Sequence, residues 1–184
     1  SSADLNKRFK RLRHQGMNLS DLERHHSDKV QIESYPEEGF NYRMTDLQAA
    51  VGTEQLKKVH DIVSKRREIA HFYTAELSKI SWIELPELES HVRANWQSFP
   101  VILKADAPLK QIEFMEHMLS RNIHTRRGIM NIHEEAPYRN SGRPLPVTEF
   151  VSHNSVLLPI YPQMTTEERE AVMQAIRELS NGNR

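Results

Sequence analysis

The stretch Ser81–Arg127 reads SWIELPELESHVRANWQSFPVILKADAPLKQIEFMEHMLSRNIHTRR, and its change of period decides the fold. Trp82 to Leu85, Ser98 to Leu103 and Ile123 to Arg127 are short strand-like runs. Between the second and third, the segment from Leu109 to Arg121 places Ile112, Met115 and Leu119 at helical spacing, which predicts a helix with those three side chains inward and Pro108 near its first turn. Downstream, Val156 to Ile160 is a further strand-like run. A last helix follows, where Thr165 and Glu168 have the spacing of a capping box, Val172, Ile176 and Leu179 form an apolar stripe, and Gly182 stands where a C-terminal cap belongs. Short strands interleaved with helices give an α+β layer, a small and mostly antiparallel sheet with helices packed on one face.

Upstream of Trp82 the period is helical. Thr45 and Gln48 again have capping-box spacing, so a helix is expected to start at Asp46 and run to about His60. Ile62, Ile69, Tyr73, Leu77 and Ile80 then mark one apolar stripe, opposite Lys65, Arg66, Glu68 and Glu76. The two stretches together predict a helical hairpin or one long kinked helix. Ala3 to Arg13 is a further helical stretch, with Leu5, Phe9 and Leu12 on one face, a solvated basic face of Lys7, Arg8, Lys10 and Arg11, and Gly16 at its end. Asn18 to Gly39 lacks periodicity and contains His25, His26 and the turn-prone Pro36, so it reads as irregular; Arg139 to Pro146, RNSGRPLP, reads as a flexible loop.

The composition narrows the function classes. The 184 residues suit one domain or one domain with an appended helical segment, and 25 basic residues balance 25 acidic ones, so no overall field draws the chain to nucleic acid or an anionic membrane. Cysteine is absent, which excludes disulfide frameworks and thiol chemistry and fits a cytoplasmic protein. No apolar run reaches the roughly 20 residues that span a bilayer, and the start, which has no initiator Met, suggests a fragment or a processed chain. A metal site is not expected despite the ten histidines: there is no HExxH, and His133-Glu134-Glu135 cannot present adjacent side chains on one helical face. The run KRFKRLRH fits an amphipathic helix better than a nucleic-acid contact.

The sharpest chemical string is GFNYRMTDLQAAVGTEQLKKV, Gly39–Val59. A loop carrying the donors of Asn41 and Arg43 runs into a helix N-terminus, an arrangement suited to an anion because amides and dipole both favour negative charge. The alternative is that both side chains tie the loop down, Arg43 by pairing with Asp46. Arg126 and Arg127 stand side by side before Gly128; guanidinium groups grip phosphate bidentately, and the alternation of a strand sends only one of them to a given site.

GFNYRMTDLQAAVGTEQL resembles the segment that follows the lysine-bearing strand in DegT-type nucleotide-sugar aminotransferases, pyridoxal-phosphate (PLP) enzymes of fold type I. NKRFKRLRHQGM resembles that family's helix with its Arg-x-His-Gly-like turn, and KRREIAHFYTAEL its helix between domains. IHTRRGIMNIHEEAPY and LPVTEFVSHNSVLLPIYPQMTTEEREAVMQAI are similar to its substrate-side loop and its closing strand and helix. The resemblance implies a C-terminal portion: a helical remnant and loop after the PLP-binding domain (1–60), a bridging helix (61–81) and the small α+β domain (82–184). It also implies a homodimer in which Asn41, with Arg43 beside it, reaches the PLP phosphate of the partner subunit. Arg126 and Arg127 would meet the diphosphate of a nucleotide-sugar substrate, and His133 and Tyr138 would line its pocket.

The lysine that carries the cofactor lies, in this family, in a Ser-rich motif upstream of the first helix here. Neither Lys7 and Lys10 on that helix, nor Lys57, Lys58, Lys65 and Lys79, has that context. The expectation is a chain inactive alone, whose parent transfers an amino group from glutamate to a keto-sugar nucleotide. Sugar dehydratases of the same family, with histidine for that lysine, and a non-catalytic module keeping the fold are the alternatives.

Overall fold

The computed structural model describes residues 2–19, 32–138 and 143–181. The His25-His26 pair, the Gly182 cap and the first part of the Arg139 to Pro146 loop lie outside the described residues. The chain divides into two compact units, Ser1–Lys57 and Lys58–Arg184.

In the first unit, helix α1 spans Ala3–Leu12 and is capped by the Ser2 hydroxyl, which accepts from the Leu5 amide. It ends where Gln15 and Gly16 take left-handed backbones, and the Gly16 amide turns back to the Arg11 carbonyl. Arg8 and Arg11, expected on a solvated face, are tied to Glu37, while Lys7 and Lys10 are exposed. The Thr45–Gln48 capping box forms in both directions, at 3.0 and 3.3 Å. It opens helix α2, Asp46–Leu77, which is one continuous helix rather than a hairpin.

The second unit holds the core. Its sheet comprises β1 (Ile83–Glu84), β2 (Phe99–Leu103), β3 (Arg126–Arg127) and β4 (Ser155–Leu158) in the order β1-β2-β4-β3, every pairing antiparallel. Alternation along β2 sends Phe99, Val101 and Leu103 into the core and leaves Pro100 and Ile102 half-buried on the other face. Against the core face pack Ile69, Tyr73 and Leu77 of the expected stripe, together with helix α3 (Gln111–Leu119) and helix α5 (Thr166–Asn181). Tyr73 stacks obliquely on Phe99 at 5.2 Å and donates its hydroxyl to the Pro159 carbonyl at 3.0 Å. The Thr165–Glu168 box caps α5 at 2.8 and 3.2 Å, and Val172 and Ile176 are buried as the stripe predicts.

Two expectations need correction, and one helix is added. Helix α3 buries Phe114 and Met118, both 0% exposed, whereas Ile112 and Leu119 are 59% and 54% exposed and Met115 is half-buried. The two candidate stripes share the same spacing one residue apart, and the Phe114 ring, edge-on to Trp82 at 6.3 Å, decides between them. The third strand is Arg126–Arg127 rather than Ile123–Arg127, because α3 closes with a Schellman turn: Asn122 is left-handed, its amide meets Leu119, and the Ile123 amide meets Met118. Residues 146–154 are helix α4 (Pro146–Asn154), opened by a proline at its first turn.

Candidate functional site

In residues 1–57 the candidate segment is an extended strip laid along the end of α1. Gly16 and Gly39 make it possible, since a Cβ at Gly16 would stand 1.9 Å from the Glu37 carbonyl and one at Gly39 would stand 2.0 Å from the Gly16 nitrogen. Backbone bonds from Phe40 to Leu12 and from Tyr42 to Arg13 bring Asn41 opposite His14 in an antiparallel bridge. The Arg11 guanidinium, with Arg8 beside it, holds the Glu37 carboxyl below the usual carboxylate range and fastens the strip. Phe40 and Tyr42 stack at 5.0 Å, nearly parallel. Side chains two apart on an extended strip share a side, so Asn41 and Arg43 lie on the other. Both are exposed. A carboxamide and a guanidinium on one side suit a phosphate group.

In the second unit the four expected substrate residues have different settings. Arg126 pairs with Leu157 and Arg127 with Val156. Val156 is buried on the core face, so Arg127 belongs to that side of the sheet edge, and Arg126 to the opposite side with Pro100 and Leu157. That opposite side carries an apolar groove of about 610 Å³ lined by Leu85, Pro100, Ile102, Ile129, Val151 and Leu157, among others. Tyr138 is exposed and its amide meets the Glu135 carbonyl.

His133 is engaged with helix α4. It sits in a 3-10 turn, Ile132–Glu134, with Nε2 3.1 Å from Glu149 Oε1. The pair Glu134–His153, at 3.3 Å, runs in the opposite sense between the same elements. Ser152 Oγ donates to the Ile129 carbonyl and Asn131 Nδ2 to Glu134 Oε2. The Leu145 amide first, and His133 second, hold the Glu149 carboxyl below its usual range. Sequence reasoning missed Glu149 and Asn131. Pro146 followed by Val147, Phe150 and Val151 was the available helix signal, concealed by the Gly and Pro just upstream.

The model of the DegT/DnrJ/EryC1/StrS aminotransferase family matches residues 1–177. An uncharacterised protein of Methanocaldococcus jannaschii is 28% identical over 98% of this chain and 48% of its own length. GDP-perosamine synthase of Escherichia coli O157:H7 is 26% identical over 76% of this chain and 37% of its own length. The sugar aminotransferase CalS13 of Micromonospora echinospora, 22% identical, superposes with a TM-score of 0.79 over 96% of this chain and 45% of its own, and so shares the fold. The chain thus spans about half the length of the proteins it matches or less. Sugar aminotransferases of this family depend on PLP. With a match that runs from the first residue to the last helix, the chain belongs to the DegT/DnrJ/EryC1/StrS aminotransferase family.

Proposed function

We propose that the protein carrying this chain transfers an amino group, from glutamate, to a keto group on a nucleotide-linked sugar, as a cytoplasmic two-fold dimer. The observation that supports it most is the donor pair Asn41 and Arg43, held on one side of a strip that Gly16, Gly39 and the Glu37 ion pairs fix in place, within a family match covering residues 1–177. PLP, when bound, supplies the electron sink that amino transfer requires. The chain's own contribution is binding and orientation. Asn41 donates its amide to the cofactor phosphate of the partner subunit, and Arg43 adds charge to that contact. Arg126, with Arg127 at the same sheet edge, meets the substrate diphosphate; His133 and Tyr138 face its sugar. The lysine that carries the cofactor belongs to residues outside this chain, and within it residues 61–81 bridge from the strip-bearing part, 1–60, to the small domain, 82–184.

The test uses the full-length protein. Glutamate and a keto-sugar nucleotide should yield 2-oxoglutarate and an amino sugar, and Asn41→Ala should weaken PLP binding by about tenfold or more, the worth of one charge-assisted hydrogen bond. PLP affinity unchanged in Asn41→Ala would remove Asn41 from the site. No turnover by the wild type across a panel of keto-sugar nucleotides would remove the activity.

A further inference from the structure

The contact between His133 and Glu149 does more than fasten a loop. Ser152 Oγ to the Ile129 carbonyl (3.1 Å) and Glu134 to His153 (3.3 Å) already join Ile129–Glu135 to helix α4. Glu149 differs from these contacts in its own anchorage. Its Oε1 accepts from the Leu145 amide at 2.9 Å, the residue that precedes its own helix, and the same oxygen stands 3.1 Å from His133 Nε2. A carboxylate has no proton to give, so Nε2 must be the donor. In a ring with a single N–H, Nδ1 is then the acceptor, and the choice of tautomer is made by a carboxylate that the Leu145 amide also holds. The His133 side chain is only 15% exposed, so the ring has little freedom to turn away. Held below its usual range by the Leu145 amide and His133, the Glu149 carboxyl stays ionised at neutral pH.

We propose that Glu149 is a positioning residue: from the first turns of α4 it holds the His133 ring with Nε2 as donor, so that Nδ1 accepts a hydrogen bond from a hydroxyl of the sugar-nucleotide substrate. This rests on the reading of the protein as a sugar-nucleotide aminotransferase and deepens it, since it assigns His133 a hydroxyl rather than a phosphate. A phosphate or a carbonyl oxygen would need a donor at that nitrogen, which the ring offers only when it carries a second proton.

The experiment has two arms on the full-length protein. In the first, 15N-labelled histidine is observed by long-range proton–nitrogen correlation at neutral pH, with His133→Gln assigning the signal. His133 should show the Nε2–H tautomer, keep it in Glu149→Gln, whose amide oxygen still accepts, and lose that preference in Glu149→Ala. An Nδ1–H tautomer in the wild type, or no change in Glu149→Ala, overturns the positioning role.

The second arm measures amino transfer. Glu149→Ala should raise the KM for the sugar nucleotide about tenfold while kcat falls less, Glu149→Gln should restore most of that loss, and adding Glu149→Ala to His133→Gln should cost almost nothing more. Additive effects, or a KM left unchanged while the melting temperature drops, would mean that Glu149 only stabilises the loop. If the wild type transfers no amino group to any keto-sugar nucleotide, the functional reading fails and the hydroxyl assignment with it, and the first arm still decides whether Glu149 sets the tautomer.

Discussion

Gly128 and Ser155 are packed so closely that a Cβ on the glycine would stand 2.0 Å from Ser155 Oγ and 2.6 Å from its Cβ. The Gly128 amide also donates to the Ser155 carbonyl at 3.0 Å, so the backbone cannot back away without leaving the edge of the sheet. Gly128→Ala should therefore destabilise the chain by about 1–3 kcal/mol, the usual cost of overpacking. Pairing it with Ser155→Gly should return part of the loss, since it removes both clashing atoms. Urea denaturation of the single and double variants measures this; equal stability of Gly128→Ala and wild type would contradict the packing.

Ser155 gives a second expectation of opposite sign. Its Oγ is buried and has no hydrogen-bond partner among the described residues. Ser155→Ala should then cost less than about 0.5 kcal/mol and could raise stability, because it removes an unsatisfied hydroxyl and leaves the backbone bonds intact. A loss above about 1.5 kcal/mol would reveal a partner for that hydroxyl.

Helix α3 provides a direct contrast between its two stripes. Phe114 is fully buried against Trp82, and Ile112 is largely exposed. Phe114→Ala should cost about 3–5 kcal/mol, while Ile112→Ala should stay within about 0.5 kcal/mol. The reverse order would restore the face expected from periodicity.

That misreading marks where the sequence stops being legible. Capping boxes at Thr45 and Thr165 were readable because they depend on two side chains three residues apart, and both form as expected. The strands β1, β2 and β4 were readable from local period, to within a residue or two at their ends. The inward face of α3 was not, since 112-115-119 and 111-114-118 have the same spacing and only the partner Trp82, distant in sequence, distinguishes them. Ile123 looked like strand but serves as the apolar clip of a helix-ending turn, a role set by the left-handed Asn122. At the candidate site the donors Asn41, Arg126 and His133 stood out by residue type. Glu149 did not, because its role depends on a contact with His133, sixteen residues away in the sequence.

Tyr73 carries a pH dependence. Burial is the main cause that pushes its phenol well above the ordinary tyrosine range. A raised folded value means that the folded state holds the proton more tightly, so this contribution is complete below about pH 10 and is lost as pH climbs above it. Tyr73→Phe should cost about 1–2 kcal/mol at pH 7, by leaving the Pro159 carbonyl unpaired. The gap between variant and wild type should narrow from pH 9 to pH 11 in matched denaturation curves. A gap that stays constant would mean that Tyr73 ionises in the folded chain as it does in the unfolded one.

The cap of α5 should respond at the acid end. Thr165 and Glu168 exchange bonds, the Thr165 amide giving to Glu168 Oε2 and the Glu168 amide to Thr165 Oγ1. The Thr165 amide first, then the Tyr161 side chain, lowers the Glu168 carboxyl below its usual value. A lowered folded value makes the contribution complete above the unfolded value, near pH 4.3, and removes it as pH falls through the folded one. Glu168→Gln keeps the acceptor oxygen but loses the charge, so it should melt below wild type at pH 7 and match it near pH 2.5. Thr165→Ala removes the hydroxyl half of the cap, which does not titrate, and should cost about 1 kcal/mol at both pH values. If Glu168→Gln kept the same deficit at acid pH, the charge would have no part in the cap, and the helix would be held by the hydroxyl and the buried Val172–Ile176 stripe alone.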